Sequence, residues 1–295
     1  MKTGFVSIIG KTNAGKSTLI NKLVKTKVSI VSPKQQTTRN AIQGIYNDEE
    51  AQIVFVDTPG ILHPHQKLDE YMNKQAFTSL AGVDAVILLI DSSIPFNKEQ
   101  DYEIQPRLVT LDCPLFLVFS KIDLTNYLLV NNLKKEYGEM FPKAEIIEIS
   151  SLKNFNLDDL IKKIKDVLPD GEKYYPDDIK SDHPVSFLIA EMIREQILLL
   201  THEEVPHCVA IKIDKIEKHN DAFNIEAQII CERDSQKGII IGKQGRMIKK
   251  IGIESRKEIE KLLGRRANLS TVVRVQEKWR NSIQSLRKLG YSEEE

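Results

Sequence analysis

Gly10-Lys11-Thr12-Asn13-Ala14-Gly15-Lys16-Ser17 decides how the rest of this chain is read. Two glycines with four residues between them, followed by Lys-Ser, match the phosphate-binding loop pattern. An apolar, β-prone run at 5–9 precedes the loop, and a run of helical spacing at 18–24 follows it. Strand, loop and helix in that order are the context the pattern requires. Gly10 and Gly15 free the backbone to turn successive N–H groups toward phosphate oxygens. The start of the helix adds its positive end. Lys16 would bridge the terminal phosphates and the Ser17 hydroxyl would ligate Mg²⁺. Lys11, Thr12, Asn13, Ala14 and Thr18 complete the candidate nucleotide contacts here. A glycine turn beside a surface Lys-Ser pair is the plain alternative.

Moving outward, apolar strand-like runs at 5–9, 41–46, 52–56, 85–90, 115–119 and 145–149 alternate with helical patterns. The helices are expected at 16–25, 68–80, 99–108, 127–141 and 157–167. Near-continuous runs such as Ala85-Val86-Ile87-Leu88-Leu89-Ile90 suit strands covered on both faces. The alternation predicts an α/β fold with a doubly wound, mostly parallel sheet over 1–170. Ligands of such sheets sit at the carboxyl ends of the strands.

Four further stretches fall at those ends. Asp57-Thr58-Pro59-Gly60 follows one strand. There Asp57 is placed to hold Mg²⁺ and Gly60 to bring a bare N–H to a γ-phosphate. Gln35-Gln36-Thr37-Thr38-Arg39 lies on a connecting loop, where Thr38, or Thr37 in its stead, would complete the Mg²⁺ shell when the γ-phosphate is present. Ser120-Lys121-Ile122-Asp123 follows another strand. The Asp123 carboxylate can accept from N1–H and the 2-amino group of guanine, donors that adenine lacks, and the Lys121 stem can cover the base. A helix cap is the competing reading of Asp123. Ser150-Ser151-Leu152 offers turn N–H groups to the base carbonyl and is the weakest of the four. His63 and His65 read as exposed loop histidines.

The alternation stops at a stretch rich in Pro, Gly and acidic residues over 171–184, read as a linker. Beyond it, over 185–295, come an apolar helix at 185–200, strands at 209–213 and 224–230 around a turn at Asn220-Asp221, and a last strand at 269–275. Between them Gly242-Lys243-Gln244-Gly245 opens a basic helix. Glycines that admit a sugar-phosphate backbone, with Lys243, Arg246, Lys249 and Lys250 to supply charge, suit single-stranded nucleic acid. Periodicity leaves 237–241 open between strand and helix. Trp279 reads as a core anchor, and Glu293-Glu294-Glu295 as a disordered tail.

Composition narrows the classes. The chain has 295 residues and a net charge of zero, but residues 233–288 hold 16 Lys and Arg against 5 Asp and Glu. That local surplus of 11 points to a polyanionic partner for the C-terminal part. No apolar run reaches the roughly 18 residues of a membrane-spanning helix, and no signal peptide is recognisable. Cys113, Cys208 and Cys231 lack metal spacing and read as reduced thiols, which places the protein in the cytoplasm.

The phosphate loop, Asp-Thr-Pro-Gly, Lys-x-Asp and the serine-rich base loop resemble the motifs of the translation-factor-like GTPases. The Thr-Thr-Arg stretch and the C-terminal half are similar to the Era-type branch, whose second domain is a KH domain of the second topological type. The resemblance covers essentially the whole chain. It implies a GTPase with catalytic roles for Lys16, Thr38 and Gly60, with Mg²⁺ held by Ser17, Thr38 and Asp57, and with room for potassium at Asn13. It implies binding to the 3′ end of small-subunit ribosomal RNA, a role in assembling the small ribosomal subunit, and peripheral attachment to the inner face of the cell membrane. A monomer is expected. It also implies that 237–241 is a short helix.

Two positions depart from the pattern. Ser120 stands where an asparagine is usual, so bonds to the purine and to the phosphate loop are expected to weaken. Ile61 stands where many relatives carry a water-orienting glutamine, so intrinsic hydrolysis is expected to be slow. Three rivals follow: an ATP-using P-loop kinase, an RNA-binding module with a vestigial nucleotide site, and a GTPase whose second domain binds protein.

Overall fold

The computed structural model describes residues 1–34, 36–102, 104–219 and 221–291. Gln35, Asn220 at the expected turn, and the acidic tail lie outside the described residues. The chain divides into two compact units. The first comprises Met1–Ser29, Asn40–Leu62 and Met72–Asp182; the second comprises Ile30–Arg39, His63–Tyr71 and the chain from His183 onward.

The first unit is the doubly wound sheet. Strands β1 (Lys2–Ile9), β2 (Ile42–Asn47), β3 (Ala51–Asp57), β4 (Ala85–Asp91), β5 (Leu115–Ser120) and β6 (Glu145–Glu148) lie in the order β2-β3-β1-β4-β5-β6. Every pairing is parallel except the antiparallel edge pair β2–β3. Helices run over α1 (Lys16–Val24), α2 (Lys67–Thr78, in this unit from Met72 on), α3 (Lys98–Asp101), α4 (Gln105–Leu108), α5 (Tyr127–Met140) and α6 (Leu157–Val167). All seven residues of β3 are buried, as a strand covered on both faces requires. Alternate side chains feed two cores. Val6 and Ile8 join Leu19, Phe55 and Leu160 on one face, and Ile9 joins Leu88, Phe119 and Leu133 on the other.

The single helix expected at 99–108 is instead two short ones, α3 and α4. Pro106 is the reason. Proline has no N–H to donate, and its ring collides with the carbonyl four residues back, so it is tolerated only in a first turn. A new helix therefore starts at Gln105.

Strand register gathers the carboxyl ends. Ile8 of β1 pairs with Asp57 of β3, and Asp91 of β4 pairs with Ser120 of β5. Three loops expected to hold nucleotide thus leave the sheet at one edge of the same parallel core.

In the second unit the described elements are α7 (Val185–Leu200), β7 (Ala210–His219), β8 (Ala222–Cys231), α8 (Asp234–Ile241), α9 (Arg246–Leu263), β9 (Arg266–Val275) and α10 (Ile283–Lys288). The sheet order is β7-β8-β9, with β7–β8 antiparallel and β8–β9 parallel. Ile189, Ile193 and Ile197 of α7, Ile251 and Ile259 of α9, and Ile225, Ala227 and Ile229 of β8 share one core. Residues 237–241 are helical. The Gln236 side chain accepts from the N–H groups of Glu232 and Arg233 at 2.9 and 3.0 Å. That cap starts the helix and outweighs the β-preference of three consecutive isoleucines. Trp279 is fully buried, with its indole N–H on the Cys208 carbonyl at 2.8 Å.

Candidate functional site

The phosphate loop turns through two conformations that side chains disfavour: Gly15 has φ 99° and Asn13 has φ 64°. At Gly10 a Cβ would stand 2.4 Å from the Leu89 carbonyl oxygen, so the loop can leave β1 only with glycine there. Lys16, the first residue of α1, folds back along the loop. Its Nζ donates to the carbonyls of Gly10 and Lys11, both at 2.9 Å. Burial pulls its pKa down to about 8 against the opposing field of Asp57. A desolvated ammonium ringed by loop carbonyls is held where a polyphosphate would compensate its charge. The Lys11 side chain points away from the loop to the buried Asp101 at 2.6 Å, which also accepts from the Tyr137 hydroxyl at 2.6 Å.

Asp57 is fully buried at the end of β3. Its Oδ2 accepts from the Ser17 hydroxyl at 2.8 Å and from the Ser29 hydroxyl at 2.6 Å. Ser29 was not among the residues singled out from sequence. It lies in the loop after α1, and Asn21 clamps it there: Asn21 accepts from the N–H groups of Val28 and Ser29 and donates to the Ser29 carbonyl. A carboxylate with two hydroxyls is the hard-oxygen donor set that suits Mg²⁺, so these residues fit that ion. Among the described residues no group of three His, Cys, Asp or Glu offers an alternative metal site.

Thr58 is buried, and its hydroxyl is engaged by the Ile8 carbonyl at 2.7 Å, tying β3 to β1. Pro59 leads to Gly60, which lies against the loop: a Cβ there would meet Thr12 Cγ2 at 2.6 Å and Thr12 Cα at 2.7 Å. Ile61 packs against the core containing Phe119 and Leu88 and donates its N–H to the Gly10 carbonyl at 3.4 Å. Its side chain is half-buried against that core.

The base-side residues are brought together. Ser120, buried at the end of β5, lies 2.9 Å from the Ala14 carbonyl and 2.9 Å from the Ile90 carbonyl. The shorter side chain thus keeps a tie to the phosphate loop. Lys121 adopts φ 57°, and its Nζ reaches Asp91 Oδ2 at 2.6 Å and the Asn13 carbonyl at 2.7 Å. The buried Ser150 hydroxyl donates to Asp123 Oδ1 at 2.5 Å, which orients an otherwise exposed carboxylate. Ser151 and Leu152 continue that turn, with Leu152 exposed. Asp91 had only one legible signal, its place at the end of a buried strand.

Thr38 falls in the second unit, buried, between two anchored neighbours. Arg39 is 1 % exposed. It donates to the carbonyls of Val209 at 2.7 Å and His207 at 3.0 Å and to the Tyr291 hydroxyl at 3.3 Å, with its guanidinium 5.8 Å from the Trp279 and Tyr291 rings. Arg194, also 1 % exposed, pairs with Glu191 and donates to the Thr37 carbonyl, while Glu195 accepts from the Val31 N–H at 3.0 Å. A Thr-Thr pair in a polar loop gave no sign of two buried arginines around it. His63 and His65 are exposed.

In the second unit Gly242 (φ 72°), Gln244 (φ 54°) and Gly245 (φ 72°) carry the turn into α9. A Cβ at Gly242 would stand 2.6 Å from Met247 Cβ. The turn presents Lys243, Gln244, Arg246, Lys249 and Lys250 as exposed side chains at one end of α9. Cationic side chains around a glycine turn supply what a phosphodiester backbone needs: charge and room for close approach.

Residues 5–121 match the family model described as 50S ribosome-binding GTPase, and residues 204–280 match the KH domain model. A tyrosine-to-alanine variant of Aquifex aeolicus Era, solved bound to GDP and aluminium tetrafluoride, is 40 % identical. The match covers 99 % of this chain and 100 % of that one, with a TM-score of 0.94. An Era structure in complex with MgGDPNP and nucleotides 1506–1542 of 16S ribosomal RNA is likewise 40 % identical, over 99 % of each chain, with a TM-score of 0.95.

Proposed function

The chain belongs to the Era family of GTPases, and from that premise we propose that it is a molecular switch. It hydrolyses GTP to GDP and phosphate, binds the 3′ end of small-subunit ribosomal RNA through its KH domain, and assists assembly of the small ribosomal subunit. The observation that carries the nucleotide half is the chain of contacts from Ser150 to Asp123 and from Lys121 and Ser120 to the phosphate loop. It links a guanine-selecting carboxylate to a polyphosphate cradle. The basic Gly242–Gly245 turn, with Lys243, Arg246, Lys249 and Lys250, carries the RNA half. We assign residues 1–170 to the GTPase domain, 171–184 to the linker and 185–295 to the RNA-binding domain.

In this reading the amides of residues 10–17 and the Lys16 ammonium stabilise charge on the transferred phosphoryl group. Gly60 offers its N–H to the γ-phosphate. Ser17, Thr38 and Asp57 would hold Mg²⁺, directly or through water, and the ion would supply neutralisation of phosphate charge. Asn13 is assigned to a potassium ion at the same loop. Ile61 cannot orient the attacking water, so the water is placed by other means and unstimulated turnover is slow. We place the protein in the cytoplasm as a monomer with peripheral attachment to the membrane surface. No helix among the described residues is long and apolar enough to cross a membrane.

The test is fluorescent GTP and ATP binding to the wild type and Asp123→Ala, with and without a single-stranded oligonucleotide of the ribosomal RNA 3′ end. Selective GTP binding that Asp123→Ala abolishes, with RNA shifting nucleotide affinity, is expected. GTP binding without any RNA binding would overturn the KH half; equal GTP and ATP binding would overturn the guanine assignment.

A further inference from the structure

Ser120 has one proton to donate and stands 2.9 Å from each of two carbonyl oxygens, those of Ala14 and Ile90. Carbonyl oxygens only accept, so the hydroxyl proton is engaged by the protein whichever of the two it faces. The residue is 2 % exposed at the end of β5, and its own carbonyl accepts from the Ser92 N–H at 3.0 Å. What remains on the side chain is lone pairs. Three other donors at these strand ends are also engaged. The Ser150 hydroxyl donates to Asp123. The Ile122 N–H donates to the Ile149 carbonyl at 3.4 Å. The Lys121 ammonium is drawn to Asp91 and to the Asn13 carbonyl, at the phosphate-loop end of its stem.

A guanine base presents two edges. Its N1–H and 2-amino group are donors and meet the Asp123 carboxylate. Its imidazole N7 is an acceptor and needs a proton from the protein. A carboxamide at position 120 would have two N–H protons, one for the Ala14 carbonyl and one for N7; a hydroxyl has one. We infer that this chain reads guanine through its N1, 2-amino and carbonyl positions and leaves N7 unread, Ser120 serving as the tie between phosphate loop and sheet. The ligand class it accepts is therefore wider than GTP: guanine nucleotides altered at position 7 bind as GTP does. The inference rests on the guanine reading of Asp123 given above.

The experiment is competition of GTP, 7-deaza-GTP and ATP against a ribose-labelled fluorescent GTP on the full chain, for wild type, Ser120→Asn and Ser120→Ala. Wild type should bind 7-deaza-GTP within about 2-fold of GTP. Ser120→Asn should prefer GTP by about 2- to 10-fold, the range of one neutral hydrogen bond. Ser120→Ala, which removes the tie without touching the base, should weaken both guanine nucleotides by the same factor and leave their ratio at one. A wild-type preference for GTP of about 5-fold or more overturns the inference, as does a changed ratio in Ser120→Ala or an unchanged ratio in a Ser120→Asn chain that still binds GTP. If Ser120→Asn does not fold, the wild-type and Ser120→Ala ratios decide. ATP binding as tightly as GTP would instead overturn the guanine reading itself, and this inference with it.

Discussion

Replacing Arg39 by methionine tests whether the segment carrying Thr38 is anchored by that guanidinium. Arg39 makes three hydrogen bonds from a charged donor, to Val209, His207 and Tyr291. Each is worth about 1.5–3 kcal/mol when broken, a gross loss of about 5–9 kcal/mol. Burial opposes this: it lowers the Arg39 pKa and outweighs the favourable field of Tyr291. Relief of that desolvation returns several kcal/mol when the charge is removed, and methionine fills most of the volume. The net loss is about 2–4 kcal/mol. The reporter is built in, because Trp279 is the single tryptophan of the chain. It is fully buried in the second unit, beside the guanidinium. Tryptophan emission through a urea titration therefore follows this unit alone, which matters because a chain of two units need not unfold in one step. With a slope of about 2 kcal/mol per M, the midpoint of Arg39→Met should fall by about 1–2 M. Arg39→Lys, which keeps the charge but loses the planar fork, should fall about half as far. A midpoint within about 0.3 M of wild type for Arg39→Met, or Arg39→Lys matching wild type, would refute the anchoring argument.

Three further outcomes are expected. In Gly60→Ala the new methyl meets the Thr12 backbone, at 2.7 Å from Cα and 2.9 Å from N; the crowding of about 1–3 kcal/mol should weaken GTP binding by about 10-fold or more, and unchanged GTP affinity by fluorescence titration would contradict it. Ser29→Ala removes a 2.6 Å bond to Asp57 and should raise the Mg²⁺ concentration that half-suppresses GDP release by about 3- to 10-fold, with release rates measured across a Mg²⁺ series. Asp48 pays for partial burial, yet bonds from Lys165, Tyr46 and the N–H groups of Glu50 and Ala51 draw its pKa down to about 2. The folded value lies below the unfolded one, so the unfolded chain binds more protons between them, and the stabilisation present above pH 4 is lost as pH falls toward 2. Asp48→Asn should accordingly be less stable than wild type at pH 6 and approach it near pH 2 in urea titrations; a gap constant with pH would exclude the mechanism.

Much of this protein was legible in its amino-acid order because the relevant physics is local. Runs such as 85–90 suit strands covered on both sides, glycines at 10 and 15 mark a loop that turns sharply, and those patterns led to the α/β sheet, the phosphate loop and the Asp57, Ser120–Asp123 and Ser150 positions at strand ends. A proline at 106 was legible too and should have divided the helix expected there. The tertiary structure decided what depends on partners far apart in the chain. Whether Ser120 still reaches the phosphate loop turns on the Ala14 carbonyl, 106 residues away. That Ser29 joins Asp57, that Thr58 is a tie between strands, and that Arg39 lies buried against Trp279 and Tyr291 follow from where the fold brings single polar atoms. Hydrophobic periodicity is repeated over many residues and so survives local ambiguity. A buried hydrogen bond involves one donor and one acceptor, has no period, and is set only when packing closes the distance between them.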